Sequence, residues 1–322
     1  MRPQVVGGLA AVALALSAVA QGGEDKLIVT LQKLGARFER DESQAGKPVV
    51  GLRFGKPATV NDATVKLLAG LKKLRQLDLA GTRPSDAGLK PLAALTQLEQ
   101  LNLSSTPLTD AALKAVAGLK TLRELELAAT GVTDAGLKQL APLEQLRLLN
   151  LAVTRVSDAG LKDVARLSGL ETLDLADTRV TDAGLAELAP LKSLGRLVLA
   201  DTAVGDAGLK ELAALPKLQV LDLYGTTVTG VGLKELAGLT ALEALNLGAT
   251  GLTDSGVREL AALKALKRLS LRETKIHDDA AKVLAGLTAL EELDVSRTAL
   301  TDAAIKSLRT ALPRCTVTAV IK

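Results

Sequence analysis

Hydrophobic and polar positions repeat along this chain with a fixed period of 24 residues, in ten copies of which the first begins at Leu74. In the copy that begins at Leu122, apolar residues at positions 4 and 6 alternate with polar ones, as in a strand with one buried face. Further apolar residues fall at positions 16, 19, 20 and 22, which is the spacing of one helix face. Each copy is therefore predicted to be a strand, a turn and a short helix.

A unit of this size cannot bury its apolar face alone, so neighbouring copies must stack around one continuous core. Because a helix crosses back between successive strands, the strands should be parallel and the crossovers right-handed. We therefore expect an α/β fold, a right-handed solenoid with a parallel sheet on one side and short helices on the other.

The repeated motif LxxLxLxxT resembles the leucine-rich repeat, with threonine where that family usually has asparagine or cysteine. The TDAGLKxLAxL half resembles the cysteine-containing class of these repeats, here in a bacterial-type secreted form. The resemblance covers about four fifths of the chain and implies a horseshoe of about 11 repeats plus caps. Its parallel sheet would be concave and its helices convex, and such proteins most often bind another macromolecule.

The ends of the chain are predicted to differ from the repeat. Residues 1–20 carry one charge, Arg2, and an apolar run before Gln21, which is typical of a cleaved secretory signal; an uncleaved membrane anchor is the alternative. Apolar residues at helix spacing, and then a strand, predict an N-terminal cap. The expected domains are a signal peptide at 1–20, the cap at 21–48, the solenoid at 49–311 with a degenerate first copy at 49–73, and a C-terminal capping strand at 312–322.

Composition narrows the function. The formal net charge of +4 is spread along the chain without a basic run, so nucleic acid binding has no support. The chain has one histidine, His277, and one cysteine, Cys315. A catalytic triad or a zinc site would need further residues of these types, so neither is expected. We place Cys315 at position 4 of the closing strand, as a small buried apolar residue. No enzyme activity, metal, cofactor or small-molecule partner is expected.

Three further positions are nearly constant, and scaffold roles are predicted for them. Threonine fills position 9 in all ten copies, where its hydroxyl can bond the backbone as the chain leaves the strand. Aspartate fills position 13 in nine copies, at the expected helix start. Lysine or arginine fills position 17 in nine copies, which is typical of a solvated convex stripe. The alternative is a basic ridge for anionic polymers.

Positions 3, 5 and 7 of each strand point away from the leucines and line the concave face, so a binding site is sought there. Adjacent carboxylates do not occur along position 5, which disfavours a metal site. Glu124 and Glu126 on one strand have a separation that resembles a hydrolase acid and base pair, but nothing else surrounds them. The face becomes apolar near Tyr224, the only tyrosine, and tyrosine and arginine are favoured at interface hot spots. The predicted partner-binding residues are Arg196, Val198, Val220, Asp222, Tyr224, Asn246, Arg268 and Arg272.

The sequence thus predicts a non-enzymatic, exported scaffold, periplasmic, cell-surface or secreted, that holds a protein or peptide in its concave face. A monomer is expected. The alternative is a structural, envelope-associated protein that binds anionic polymers through the convex lysine stripe.

Overall fold

The structure, a computed structural model, describes residues 23–55 and 60–320. These residues form two compact units, which divide between Leu149 and Asn150. The predicted signal peptide at 1–20 lies outside the described residues. Within the described residues, none of the helices combines the length and the apolar character that a bilayer span requires.

One short strand per copy builds the sheet of each unit. The first unit contains β1 (Ala36–Arg40), β2 (Val49–Phe54), β3 (Gln76–Asp78), β4 (Gln100–Asn102) and β5 (Glu124–Glu126), and β6 (Leu148–Asn150) lies at the boundary between the units. The second unit contains β7 (Thr172–Asp174), β8 (Arg196–Val198), β9 (Val220–Asp222), β10 (Ala244–Asn246), β11 (Arg268–Ser270), β12 (Glu292–Asp294) and β13 (Thr316–Thr318).

The strand pairing follows the repeat register. From β2 to β5, and again from β7 to β13, neighbouring strands are parallel and each residue lies opposite the residue one copy away. Leu221, for example, lies opposite Leu197 and Leu245. Strand β1 is antiparallel to β2. The expected α/β solenoid with a parallel sheet is confirmed.

The return half of each copy is helical, partly as tight 3-10 turns. In the first unit the helical segments are residues 23–33, Asp62–Leu68, Ala87–Ala94, Asp110–Ala112, Leu113–Val116, Asp134–Leu137 and Lys138–Leu140. In the second unit they are Asp158–Val164, Asp182–Leu185, Ala186–Leu188, Leu209–Leu212, Leu233–Gly238, Asp254–Val257, Arg258–Ala262, Asp278–Leu284 and Asp302–Ala311.

Leucines from both halves of the copies form the core of each unit. In the copy that begins at Leu194, the strand leucines Leu197 and Leu199 and the helical Leu209 and Leu212 are all fully buried. Burying a leucine side chain stabilises the fold by about 1.5–3 kcal/mol. The stacked leucines therefore explain why the chain needs no disulfide.

The threonine at position 9 has the predicted scaffold role. In all ten copies its hydroxyl donates to the carbonyl three residues earlier, as from Thr226 to Leu223 at 2.7 Å. Eight of the ten side chains are buried. The hydroxyl thus satisfies a carbonyl where the strand ends, within its own copy.

Position 8 adopts the left-handed backbone conformation in every copy, although only Gly81 and Gly225 are glycines there. Val153 has a φ of 56° at this position, and its side chain is 52% exposed. Branching at Cβ makes this conformation especially unfavourable, and exposure means that little packing compensates for it. The turn geometry is therefore imposed by the repeat rather than by the local residue.

We expect Val153→Gly to raise the free energy of unfolding by about 1 kcal/mol, because glycine removes the Cβ strain while losing some entropy. Urea unfolding would measure the change. The matched control is Val231→Gly, since Val231 is 70% exposed but has no left-handed φ. Equal destabilisation by both substitutions would contradict this prediction.

The closing strand differs from the prediction. Strand β13 places Val317 opposite Leu293, so Val317 and not Cys315 occupies position 4. Cys315 precedes the strand and is only partly buried. The strand keeps the 24-residue spacing of the preceding copies, as from Leu269 to Leu293 and from Leu293 to Val317, so the prediction made the last copy two residues too short. Burial, with the Glu292 carboxylate, raises the pKa of the Cys315 thiol, which disfavours a reactive thiolate.

Candidate functional site

The predicted binding residues lie on the face of the second unit's sheet that points away from the leucine core, called the open face below. Arg196, Val220, Ala244 and Arg268 are neighbours at position 3 of strands β8 to β11. The two arginines are exposed, and the two small apolar residues lie between them. Three strand spacings of about 4.8 Å place the arginine Cα atoms roughly 14 Å apart.

Position 5 carries structural side chains rather than free ones. Asp222 accepts a hydrogen bond from the backbone N–H of Tyr224 at 2.9 Å, and Asn246 accepts one from Gly248 at 3.0 Å. The same bond recurs at Asp78, Asn102, Asn150, Asp174 and Asp294. Asp and Asn side chains commonly form this Asx turn with the backbone two residues further on. The turn was not predicted from the sequence, although the frequency of Asp and Asn at position 5 indicates it.

Val198 and Tyr224 are less accessible than their positions suggest. Val198 is only 7% exposed and lies between Asp174 and Asp222 on the neighbouring strands. The Tyr224 ring was expected to be exposed above small residues, but it is half-buried. A Cβ added to Gly248 would lie 2.9 Å from its Cδ2 atom, so the ring packs on that glycine. Tyr224 nevertheless retains some contact with solvent.

Arg272 is engaged within the protein. Its Nη2 lies 3.1 Å from Glu273 Oε1, and Arg297 Nη1 lies 2.8 Å from the same oxygen. These partly exposed pairs add little stability, but they engage both guanidinium groups, those of Arg272 and Arg297, on one carboxylate. Arg268 makes no ion pair with any carboxylate in residues 23–55 and 60–320. Arg268 is therefore the arginine of this sector that is available to a partner.

A groove of 360 Å³ runs over strands β9 to β13. Four of the predicted residues line it, Val220, Asp222, Asn246 and Arg268, and Glu292 and Thr316 extend it toward β13. Arg196 lines a second depression of 380 Å³ that shares Val220 with the groove. The structure thus brings most of the predicted residues together and shifts the centre of the surface from Tyr224 toward Arg268.

The basic stripe on the helical side differs between the two units. In the first unit Lys90, Lys114 and Lys138 are exposed, and the next residues are Pro91, Ala115 and Gln139. In the second unit the lysines lie beside carboxylates: Lys162 pairs with Glu187 at 3.8 Å, Lys210 with Glu211 at 3.6 Å and Lys234 with Glu235 at 4.0 Å. Arg258, Lys282 and Lys306 of the second unit are exposed and make no ion pair within the described residues, so carboxylates compensate only the middle of the stripe, from Lys162 to Lys234.

His277 and Glu124, which the sequence raised as possible catalytic groups, form contacts within the scaffold. No group of three or more His, Cys, Asp or Glu side chains in the described ranges is placed to hold a metal ion. His277 Nδ1 lies 3.2 Å from Asp254 Oδ2, in the place where most other copies use a threonine or serine hydroxyl. Glu124 accepts a hydrogen bond from Gln100 Nε2 at 2.9 Å.

Position 13 has a role beyond the predicted helix start. Asp110, for example, begins a helical segment and also accepts from Thr133 N and Oγ1 of the next copy, at 2.8 and 2.7 Å. Equivalent contacts start from Asp62, Asp86, Asp158, Asp182, Asp206, Asp254 and Asp278. These carboxylates therefore join one copy to the next.

This architecture, with stacked strand–helix copies on a leucine core and an exposed sheet face, defines a repeat solenoid. A family model described as Leucine Rich repeat matches residues 118–141 and 169–189. The family model and the sequence motif therefore agree that the chain carries leucine-rich repeats. No curated protein matches the chain.

Solved structures share the fold. An internalin from Listeria monocytogenes is 22% identical, with a TM-score of 0.59, over 86% of this chain and 91% of that one. A leucine-rich repeat protein of Leptospira interrogans is 20% identical, with a TM-score of 0.50, over 78% and 80% of the two chains. A TDR receptor is 16% identical, with a TM-score of 0.53, over 80% of this chain and 52% of its own. At these identities the likeness concerns the fold alone.

Proposed function

We propose that this protein is a non-enzymatic, exported scaffold that binds a protein or peptide on the open face of its second unit. The observation that carries the proposal is the groove over β9 to β13, in which Arg268 extends beside Val220 and Ala244 with no ion pair in the described ranges. An exposed arginine beside an apolar floor is the composition of interface hot spots. Export is supported by the leader-like residues 1–20, and the protein acts as a monomer.

The position-5 residues fit this proposal as a rigid platform. Their Asx turns fix Asp222 and Asn246, so little side-chain entropy remains to be lost on binding. Tyr224, packed on Gly248, is similarly preorganised. Specificity would then come from Arg196, Val220, Arg268 and the accessible edge of Tyr224.

One observation favours a second candidate, binding of anionic polymers through the helical side. Lys90, Lys114 and Lys138 are exposed, and none of them makes an ion pair within the described part of the chain. Binding of this kind would weaken steeply with salt, because surface charges are screened over about 10 Å at 0.1 M ionic strength.

The test is a pull-down from envelope and secreted fractions with residues 21–322 as bait. Arg268→Ala is expected to weaken capture of a discrete partner at least tenfold, because an arginine that becomes buried in an interface commonly contributes more than about 1.4 kcal/mol. Tyr224→Ala is expected to weaken capture less, because the ring is already half-buried in the free protein. Arg258→Ala is the matched control, since Arg258 is an exposed arginine of the same unit on the helical side.

A second variant, with Lys90, Lys114 and Lys138 changed to Gln, separates the two candidates. The open-face proposal predicts that this variant captures the partner like the wild type at both low and moderate salt. Capture that is lost in the lysine variant and retained in Arg268→Ala would move the function to the helical side.

A further inference from the structure

Two arginines face each other at the start of the first unit. Arg37 on β1 lies directly opposite Arg53 on β2. Like charges opposite each other across an antiparallel pair destabilise a sheet. Both side chains are exposed and line the same groove, and neither makes an ion pair within residues 23–55 and 60–320. Asp78, opposite Arg53 on β3, and Glu39 line the same groove and offset part of this repulsion without forming an ion pair with either arginine. Both guanidinium groups therefore remain available to an anionic group bound between them.

The opposite end of the same groove is acidic. Glu124 and Glu126 on β5 are half-buried and line it. The Gln100 amide donates to Glu124 Oε1 at 2.9 Å, which orients this carboxylate and leaves Oε2 for a further donor. A cationic ammonium group would be held here by charge-assisted hydrogen bonds.

The floor between the two ends carries three amides and one carboxylate, Asp78, which accepts from Ala80 N within its own turn. Gln76 and Gln100 lie at position 3 and Asn102 at position 5, and all three line the groove. The Asn102 side-chain oxygen accepts from Ser104 N at 3.0 Å, so its NH2 group remains as a donor. Side-chain amides offer both donors and acceptors, which is what a peptide backbone requires.

The dimensions of the groove set the length of the ligand. Its volume is 530 Å³, within the range of sites for small ligands. Arg53, Asp78, Asn102 and Glu126 follow one another at position 5 of four adjacent strands. Three strand spacings separate the first from the last, or about 14 Å. An extended chain of four residues also spans about 14 Å.

We propose that the groove of the first unit binds a short peptide with free ends, of about four residues, lying across strands β2 to β5. Its C-terminal carboxylate is held by Arg37 and Arg53, and its N-terminal ammonium by Glu124 and Glu126. The amides Gln76, Gln100 and Asn102 bond its backbone. This site is independent of the partner surface on the second unit.

Isothermal titration calorimetry of the full chain with tetra-alanine tests the proposal. Saturable binding of one tetra-alanine is expected, and N-acetylation or C-amidation should each weaken it about tenfold, the effect of losing one charge-assisted hydrogen bond. Trialanine should bind more weakly, because it cannot reach both ends of the groove. Arg53→Gln should abolish the penalty for C-amidation and Glu124→Gln the penalty for N-acetylation.

Arg83→Gln serves as the control, since Arg83 is exposed on the next copy and does not line the groove. Circular dichroism establishes whether each variant is folded. If Arg53→Gln does not fold, Glu124→Gln still tests the proposal. Absence of tetra-alanine binding, equal binding of free and blocked peptides, or binding of inorganic phosphate alone would overturn the proposal. None of these outcomes would affect the partner surface of the second unit.

Discussion

Replacing Gly230 with aspartate, the residue at this position in the nine other copies, should lower the free energy of unfolding by about 3 kcal/mol. The repeat pattern alone suggests the opposite, a repaired consensus and a more stable protein. Gly230 has a φ of 108°, in a region that side chains rarely adopt. A Cβ at this residue would lie 2.4 Å from the Gly256 Cα of the next copy. Backbone strain and a backbone clash therefore act together.

Urea unfolding of the full chain measures this effect. Gly238→Ala is the matched control in the same copy, because nothing lies within 4 Å of a Cβ placed there and its φ is ordinary. The control should change the unfolding free energy by less than about 1 kcal/mol. A Gly230→Asp variant as stable as the wild type would show that the copies can separate enough to accept a side chain.

Asp206→Ala should cost about 2–3 kcal/mol, since it leaves backbone N–H groups without a partner. The Asp206 carboxylate accepts from Thr229 N and Oγ1 at 3.1 and 2.5 Å, from Gly230 N at 3.1 Å and from Gly232 N at 2.9 Å. It thus accepts from three backbone N–H groups of the next copy, whereas Asp182 accepts from one. Asp182→Ala is the matched control, because Asp182 accepts from Gly205 N, where no hydroxyl is present.

The effect of Asp206 should depend on pH. Burial raises the pKa of Asp206, but the hydrogen bonds from Thr229, Gly232 and Gly230 outweigh it and hold the pKa below the ordinary 3.8. A folded-state pKa below the unfolded one stabilises the protein at pH values above the unfolded pKa. This contribution is lost as the pH falls through the folded pKa.

The stability difference between wild type and Asp206→Asn should accordingly be full at pH 7 and shrink below about pH 4. Thermal unfolding at a series of pH values measures it, with Asp182→Asn as the reference. A difference that stays constant down to pH 2 would show that the charge of Asp206 is not what joins these copies.

Much of the fold was predictable because each copy repeats the same apolar spacing and the same short-range hydrogen bonds. Leucines at positions 1, 4 and 6 specify the buried strand face, and the threonine hydroxyl acts within its own copy, so both could be derived from one repeat. The C-terminal strand was misplaced because Cys315 and Val317 both suit a buried position. The unbroken 24-residue period, which places Val317 opposite Leu293, decides between them.

The candidate site was less predictable, because it depends on contacts between copies. The sequence placed Asp222 and Asn246 on the exposed face, but it did not show that their side chains accept hydrogen bonds from the backbone two residues further on. It placed Arg272 there without revealing that Glu273, the next residue, would bind it. The Gly230 approach to Gly256 likewise appears only when two copies are stacked.

Photo-crosslinking tests the central claim, that a partner binds the open face of the second unit. A p-benzoylphenylalanine in place of Val220, in the groove, should crosslink the captured partner, whereas the same residue in place of Lys210, on the helical side, should not. Crosslinks from position 210 without crosslinks from position 220 would contradict the account and place the binding surface on the helices.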